Sequence, residues 1–351
     1  MKPCRNDCNS CSYYNYCRGC SYCEALICNR RCNLCETVCL NKNGIDNYLK
    51  YFNDFNINIS KNYYKELPMN IPVIPAKIKK TFHMDFVAVN GSRLLSRNGE
   101  KINKHYLERG FRGVLNLLDG TSGILELYIK DRQLEGFWDK RKNLYKDLKK
   151  LDFEFIIVPN FSIYEDLPRI EHLYNIKRNS IVYNELLENG INAIADISWF
   201  SKSDIDKWIF NINKNKIKLI SFSFQNVGTS LKASNNWKCN LLGFKYLCEN
   251  IENDVDILIA GIASPIRLIE IYKSINKENR LMILNQSAFI QSRRAVLSEL
   301  QSKNYDMSFD DILTQNLDYY TKIYEKIYKS DKLLNLNNLS IQKISEIYRS
   351  K

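Results

Sequence analysis

The sequence predicts an α/β fold: a TIM-type or incomplete (β/α) barrel, preceded by a cysteine-rich metal module and followed by a helical tail. Three observations lead there. From residue 82 onward, short apolar runs alternate with longer amphipathic stretches, six such pairs in succession, the signature of parallel strands joined by helical crossovers. The runs are apolar throughout, as strands covered on both faces are. Ten of the 12 cysteines fall within the first 39 residues, far more thiol than so short a segment can bury as core.

Residues 1–43 are the cysteine module and 44–80 a linker. The linker is Asn-rich, with a short helix expected over 44–56, and Pro68, Pro72 and Pro75 favour an extended path. The barrel is expected over 81–308. "HMDFVAV" (83–89) and "RGVLNLL" (112–118) have strand character. "GILELYI" (123–129) precedes the helical "LEGFWDKRKNLYKDLKKL", and "FEFIIVP" (153–159) precedes a helix over about 168–189. "INAIADIS" is followed by "KSDIDKWIFNIN", and "IKLISFSF" by "NWKCNLLGFKYLCENI", whose Cys239 and Cys248 read as ordinary thiols. "VDILIAGI" leads into "PIRLIEIYKSINK", and "RLMILNQ" into "SRRAVLSELQSKN". That makes about eight strands, the barrel number; an open doubly wound sheet is the alternative. No G-x-G-x-x-G or G-x4-G-K-[ST] follows a strand, so neither a dinucleotide site nor a P-loop is expected. Residues 309–351 read as a helical appendage.

The module's cysteines are Cys4, Cys8, Cys11, Cys17, Cys20, Cys23, Cys28, Cys32, Cys35 and Cys39, with no histidine among them. All-thiolate ligation serves either an iron–sulfur cluster or tetrahedral zinc. Cys17, Cys20 and Cys23 form C-x2-C-x2-C, close to the ferredoxin run that wraps a [4Fe–4S] cubane, although the C-x3-C-P ending is absent. Paired C-x2-C and C-x3-C knuckles would instead suit two zinc ions, with shorter loops than zinc modules use. Cys28, Cys32 and Cys35 also match the C-x3-C-x-φ-C spacing of radical S-adenosylmethionine enzymes. No strand-like run precedes them, as it does in those enzymes.

The formal charge is +12. Nine basic residues crowd between Lys77 and Arg112, Lys79 and Lys80 among them, against Asp85, Glu100 and Glu108. Such a cluster suits phosphate contact, and a solvated face is the plainer reading. No run of about 18 apolar residues occurs and no apolar leader follows "MKPCRNDC", so neither a membrane span nor secretion is expected. A cytoplasmic chain keeps its thiols reduced, which favours metal over disulfides.

The stretch "VPNFSIYEDLPRIEHLYNIKRNSIVYNELLENGINAIADISWF" resembles a family of phage and mobile-element proteins, the domain of unknown function 4417. The shared pattern falls on Pro159, Phe161, Ser162, Tyr164, Asp166, Pro168, Asn175, Arg178, Asn179, Gly190, Ser198 and Trp199, and the resemblance covers about 120–270. It supplies no activity. Where the family has aspartate after the proline, this chain has Asn160, which implies a lost or altered activity if that aspartate is catalytic. "IAGIASPIRLIEIY" is also similar to a late turn of the tRNA-guanine transglycosylase barrel, a fold-level likeness only.

Ligands of parallel α/β folds meet the C-terminal strand ends. Asp196, after the apolar "INAIA", is the expected nucleophile or base, a helix cap or a partner of a buried arginine being the structural alternative. Asp131 and Asp85 are further candidate acids. Substrate or phosphate contacts are expected from Lys77, Lys79, Lys80, Arg112, Asn160, Ser162, Arg178, Gln225, Ser264 and Arg267. The function expected is that of a nucleic-acid-acting protein of phage or mobile-element type, with a base-modifying enzyme as its specific form. A non-catalytic DNA- or RNA-binding protein is the alternative, and an iron–sulfur redox enzyme the second.

Overall fold

Eight parallel strands alternate with helices in a computed structural model of the protein, which describes residues 55–58, 66–81, 83–164, 169–225, 235–252, 254–262, 264–275 and 279–333. The cysteines Cys4 to Cys39 lie outside the described residues. In chain order the elements are β1 (Asn70–Pro72), β2 (Phe86–Asn90), α1 (Gly91–Leu94), α2 (Lys104–Leu115), β3 (Ser122–Glu126), α3 (Asp131–Lys150), β4 (Phe155–Ile157) and α4 (Arg169–Glu188). There follow β5 (Ala193–Asp196), α5 (Lys202–Asn215), β6 (Leu219–Ser223), α6 (Asn235–Asn250), β7 (Asp256–Ala260), α7 (Pro265–Tyr272), β8 (Arg280–Asn285) and α8 (Ser287–Arg293). A two-residue hairpin pair, β9 (Val296–Leu297) and β10 (Ser302–Lys303), precedes the long α9 (Phe309–Leu333).

The sheet runs β1-β8-β7-β6-β5-β4-β3-β2 with every pairing parallel. A bridge between Val73 and Ala88, with the Ile74 N–H donating to the Ala88 carbonyl at 2.8 Å, brings β1 back to β2. The result is a nearly closed barrel. Carried round the strands, the register returns displaced by about eight residues, the shear of a (β/α)8 barrel.

Three sequence expectations are corrected. "SRRAVLSELQSKN" is not the last crossover helix but the end of α8 followed by β9 and β10. "RGVLNLL" is not a strand: its first half ends α2, where Asn103 caps the start through His105 N (3.1 Å) and Asn116, at φ 63°, ends it. Tyr106, Phe111 and Leu115 form its buried stripe, and Asn116 between Leu115 and Leu117 turns the apolar run at a left-handed cap. The missing strand is β1, inside the stretch read as linker. Its Pro72 has no N–H to give. Val73 N–H donates to Asn285 on the β8 side (2.9 Å), so the amide Pro72 lacks would have faced β2, which β1 reaches only at Ile74.

Alternate strand residues separate two cores. Ile71, Val73, Phe86, Ala88, Ile124, Phe155, Ile157, Ile194, Leu219, Leu258, Met282 and Leu284 fill the barrel. Their neighbours, such as Val87, Leu125, Ile156, Ala195, Ile220 and Ile259, face the helices with Trp208, Tyr183 and Phe244. Burial on both sides explains why the strands read as continuous apolar runs. α9 packs beside β1, where Asn70 Nδ2 donates to Leu317 O (3.3 Å) and Thr321 Oγ1 (2.8 Å). No helix among the described residues is long and apolar enough to cross a membrane.

Candidate active site

Toward the C-terminal mouth the inward positions of β2, β3, β5 and β6 turn polar, while Ala260 and Leu284 keep those of β7 and β8 apolar. On β2 and β3 the register sets Asn90 opposite Glu126. On β5 and β6 it sets Asp196 opposite Ser221. Asn90 Nδ2 donates to Glu126 Oε1 at 2.9 Å. Two residues beyond Glu126, the Tyr128 hydroxyl donates to Asp196 Oδ1 at 2.7 Å, and Ser221 Oγ donates to the same oxygen at 3.0 Å. The carboxyls thus flank one tyrosine.

Both acids are buried: Glu126 is 5% exposed and Asp196 1%. Neither forms an ion pair among the described residues. Removal from water raises Glu126 to about 7, against the opposing Asn90 bond. Burial likewise raises Asp196 to about 7, against the Tyr128 and Ser221 bonds. Burial, and then the Asp196 charge, push the Tyr128 hydroxyl well above its ordinary range, so Tyr128 stays a donor. Each acid keeps one oxygen, Asp196 Oδ2 and Glu126 Oε2, without a hydrogen bond among the described residues. Two carboxyls that exchange protons near neutral pH are the working parts of general acid–base chemistry.

Residues of the resemblance pattern build the frame. Asn179, wholly buried on α4, donates to Asp196 O (3.1 Å) and Pro159 O (3.4 Å), holding the ends of β4 and β5 together. One turn earlier Asn175 donates to Ser162 O (2.7 Å) and accepts from Arg178 (2.6 Å). The Arg178 guanidinium pairs with Glu135 (2.6 Å) and lies 4.0 Å from the Phe161 ring centroid. It is 4% exposed, so its surroundings are those of a packed, positioning side chain. Trp199 lies against α6, where a Cβ on Gly243 would come within 2.4 Å of its ring.

The other candidates divide by end of the barrel. Asp131 opens α3 on the rim, where Ser162 Oγ (2.6 Å) and the Tyr164 hydroxyl both donate to it. Asn160 is half-buried beyond β4, and Gln225 is exposed beyond β6. Ser264 stands at the N-cap position of α7 without a side-chain cap bond, and Arg267, buried, lies 4.8 Å from the Trp237 ring centroid. Asp85 is not brought to this mouth: it precedes β2 at the opposite end, exposed, 2.8 Å from His83. Arg112 is also at that end, bonded to Thr121 O (2.7 Å) and Asp152 (3.4 Å). The backbones of Lys79 and Lys80 donate to Asp310, and Lys80 Nζ to Asp311, tying them to α9. Lys77 lies near the ends of β2 and β3. Glu126, Tyr128, Asn90 and Ser221 were not anticipated. Glu126 and Tyr128 share the parity of Ile124 in "GILELYI", but only the closed sheet shows that this parity faces inward.

Among the described residues no group of three or more His, Cys, Asp or Glu is arranged to hold a metal ion. Residues 100–266 match the family described as Domain of unknown function (DUF4417). The match runs from just before α2 to the first turn of α7, and so takes in Glu126, Tyr128, Asp196, Ser221 and the α4 frame. No curated protein matches the chain.

Proposed function

We propose that the chain is an enzyme that modifies bases in nucleic acid by general acid–base chemistry at the barrel mouth, with Glu126 and Asp196 taking up and releasing protons. The observation that carries this reading is the pair of buried carboxyls, uncompensated by any cation among the described residues and poised near neutrality at the strand ends. A purely structural acid at such depth is normally matched by an arginine or lysine. Asn90, Tyr128 and Ser221 hold the two acids in place. Nucleic acid as substrate rests on the charge of +12 and its concentration before Arg112. A flipped base offers the ring donors and acceptors that such a mouth would address.

The ten cysteines between Cys4 and Cys39 are proposed to bind a [4Fe–4S] cluster or zinc, on their number and spacing alone. Anaerobic purification with metal analysis decides between them: iron with broad visible absorption, or colourless zinc. Neither metal bound would overturn the proposal.

The enzyme assignment is tested by incubating the full chain with RNA and DNA and examining the released nucleosides by mass spectrometry. A new nucleoside mass that Asp196→Asn abolishes, with folding intact, is the expected result. Strand binding with no modified nucleoside would favour a non-catalytic binding protein, which Asn160, in place of the aspartate of the resemblance pattern, also suggests.

A further inference from the structure

Beside the mouth a cavity of about 790 Å3 opens between the residues after β1, the loop after α1 and the first turn of α3. Lys77, Arg93, Arg97, Lys130 and Arg132 line it together with His105, and no carboxylate does among the described residues. None of the five lysines and arginines has an ion-pair partner among the described residues. Lysines and arginines lining one volume without counter-charge make its surface positive and favour an anion there.

The walls are built. Gln133, a mostly buried residue of the cavity wall, donates to Ser92 O (2.9 Å) and Ser96 O (3.1 Å), fastening the loop to α3. The two segments approach so closely that a Cβ on Gly136 would fall 1.7 Å from Asn98 O, and one on Gly99 1.9 Å from Gln133 O. Leu95, Val114 and Leu115 supply an apolar surface. Tyr106, 3% exposed, also lines the space, and its hydroxyl has no hydrogen bond among the described residues.

We propose that this cavity is a phosphate site that takes a nucleotide, the phosphate among the cations and the ring against Leu95 and Tyr106. The nucleotide is either free or part of a strand. The assignment rests on the reading of the mouth as the reaction centre for its purpose, but not for its binding chemistry. Asn90 ends β2 and caps α1 through Ser92 N (3.0 Å), while Lys130 stands just before the first residue of α3, two residues after Tyr128. A phosphate held here therefore sits next to the strands that carry Glu126 and Tyr128.

The test is calorimetry on the full chain at low salt, with inorganic phosphate, a nucleoside, its 5′-monophosphate and a short single strand as probes. The monophosphate should bind more tightly than inorganic phosphate, and the nucleoside alone hardly at all. Arg93→Ala and Arg132→Ala should each weaken binding about tenfold. Tyr106→Phe should weaken it severalfold with no drop in unfolding midpoint. Arg93 and Arg132 are exposed, so folding should survive their truncation. Loss of strand binding in the same variants assigns the phosphate to nucleic acid, and loss of monophosphate binding alone assigns it to a free nucleotide. Asp196 does not line this cavity, so Asp196→Asn should leave phosphate and monophosphate binding unchanged, and failed turnover with that binding intact separates this site from the chemistry. Absence of phosphate and nucleotide binding, or indifference to both arginine variants, would overturn the proposal.

Discussion

Replacing the two buried acids by their amides should make the protein more stable at neutral pH and leave its stability unchanged near pH 4. In the unfolded chain, Asp and Glu release their protons near pH 4. In the native barrel, burial holds Glu126 and Asp196 protonated up to about 7. Between those limits the native state carries two protons that the unfolded chain has lost, so rising pH favours unfolding. Each group contributes a slope of about 1.4 kcal/mol per pH unit, or about 4 kcal/mol across the whole window. This stabilisation is present below about pH 4 and lost as pH passes about 7. Glu126→Gln keeps the oxygen that accepts from Asn90, and Asp196→Asn keeps one for Tyr128 and Ser221. The measurement is urea unfolding of the parent and both variants at half-unit steps from pH 4 to 8. Exposed carboxylates alter all three curves alike, so the difference between parent and variant isolates the buried group. The variants should gain progressively above about pH 5. Parallel curves would mean that both acids are already ionised in the native barrel, and the acid–base reading would fall with them.

Other expectations follow from the same contacts. Tyr128→Phe removes the 2.7 Å donor to Asp196; a bond to a carboxylate contributes about 1.5–3 kcal/mol, so Asp196 should rise by about one to two pH units. The parent-minus-Asp196→Asn difference curve, repeated in the Tyr128→Phe background, should shift by that amount, and an unshifted curve would count against the bond. Asn179→Ala strips the donor from two buried carbonyls and should destabilise by about 1–3 kcal/mol in urea unfolding; a neutral variant would show that α4 does not hold the strand ends. Gly136→Ala forces a methyl onto Asn98 O and should cost about 3 kcal/mol, with nucleotide affinity falling as the loop is displaced. Unchanged stability and affinity would contradict the close packing of loop on helix.

How much of this was legible before the structure depends on what the period of the sequence can encode. Strands buried on two faces write themselves as solid apolar runs, and seven of the eight barrel strands lie within such runs. β1 escaped because it is three residues long, contains Pro72 and is completed by backbone pairing to β8 and a single bridge to β2. Its membership is decided by barrel closure, which no local pattern records. The helix at "RGVL" was hidden for the opposite reason, since Asn116 turns the chain by adopting φ 63° rather than by supplying a glycine or proline.

The site divides in the same way. Asp196 could be singled out because an acid after "INAIA" breaks an apolar run at the strand end where ligands bind. Glu126 could not, because "GILELYI" reads equally well with its polar residues turned toward solvent. Only the closure of the sheet makes that face an interior, and only the interior makes Glu126 an acid with a neutral-range proton. The chemistry of the mouth is thus a product of topology acting on ordinary residues. Residues far apart in sequence, Asn90, Glu126, Tyr128, Asp196 and Ser221, become one hydrogen-bonded rim, joined where Asn90 Nδ2 also donates to Tyr128 O (3.4 Å), because the β2–β3 and β5–β6 registers place them at the same end of the barrel. A one-residue slip of β3 would turn Glu126 and Tyr128 outward together and leave Asp196 with Ser221 alone. The same register therefore sets both the fold and the protonation of its mouth.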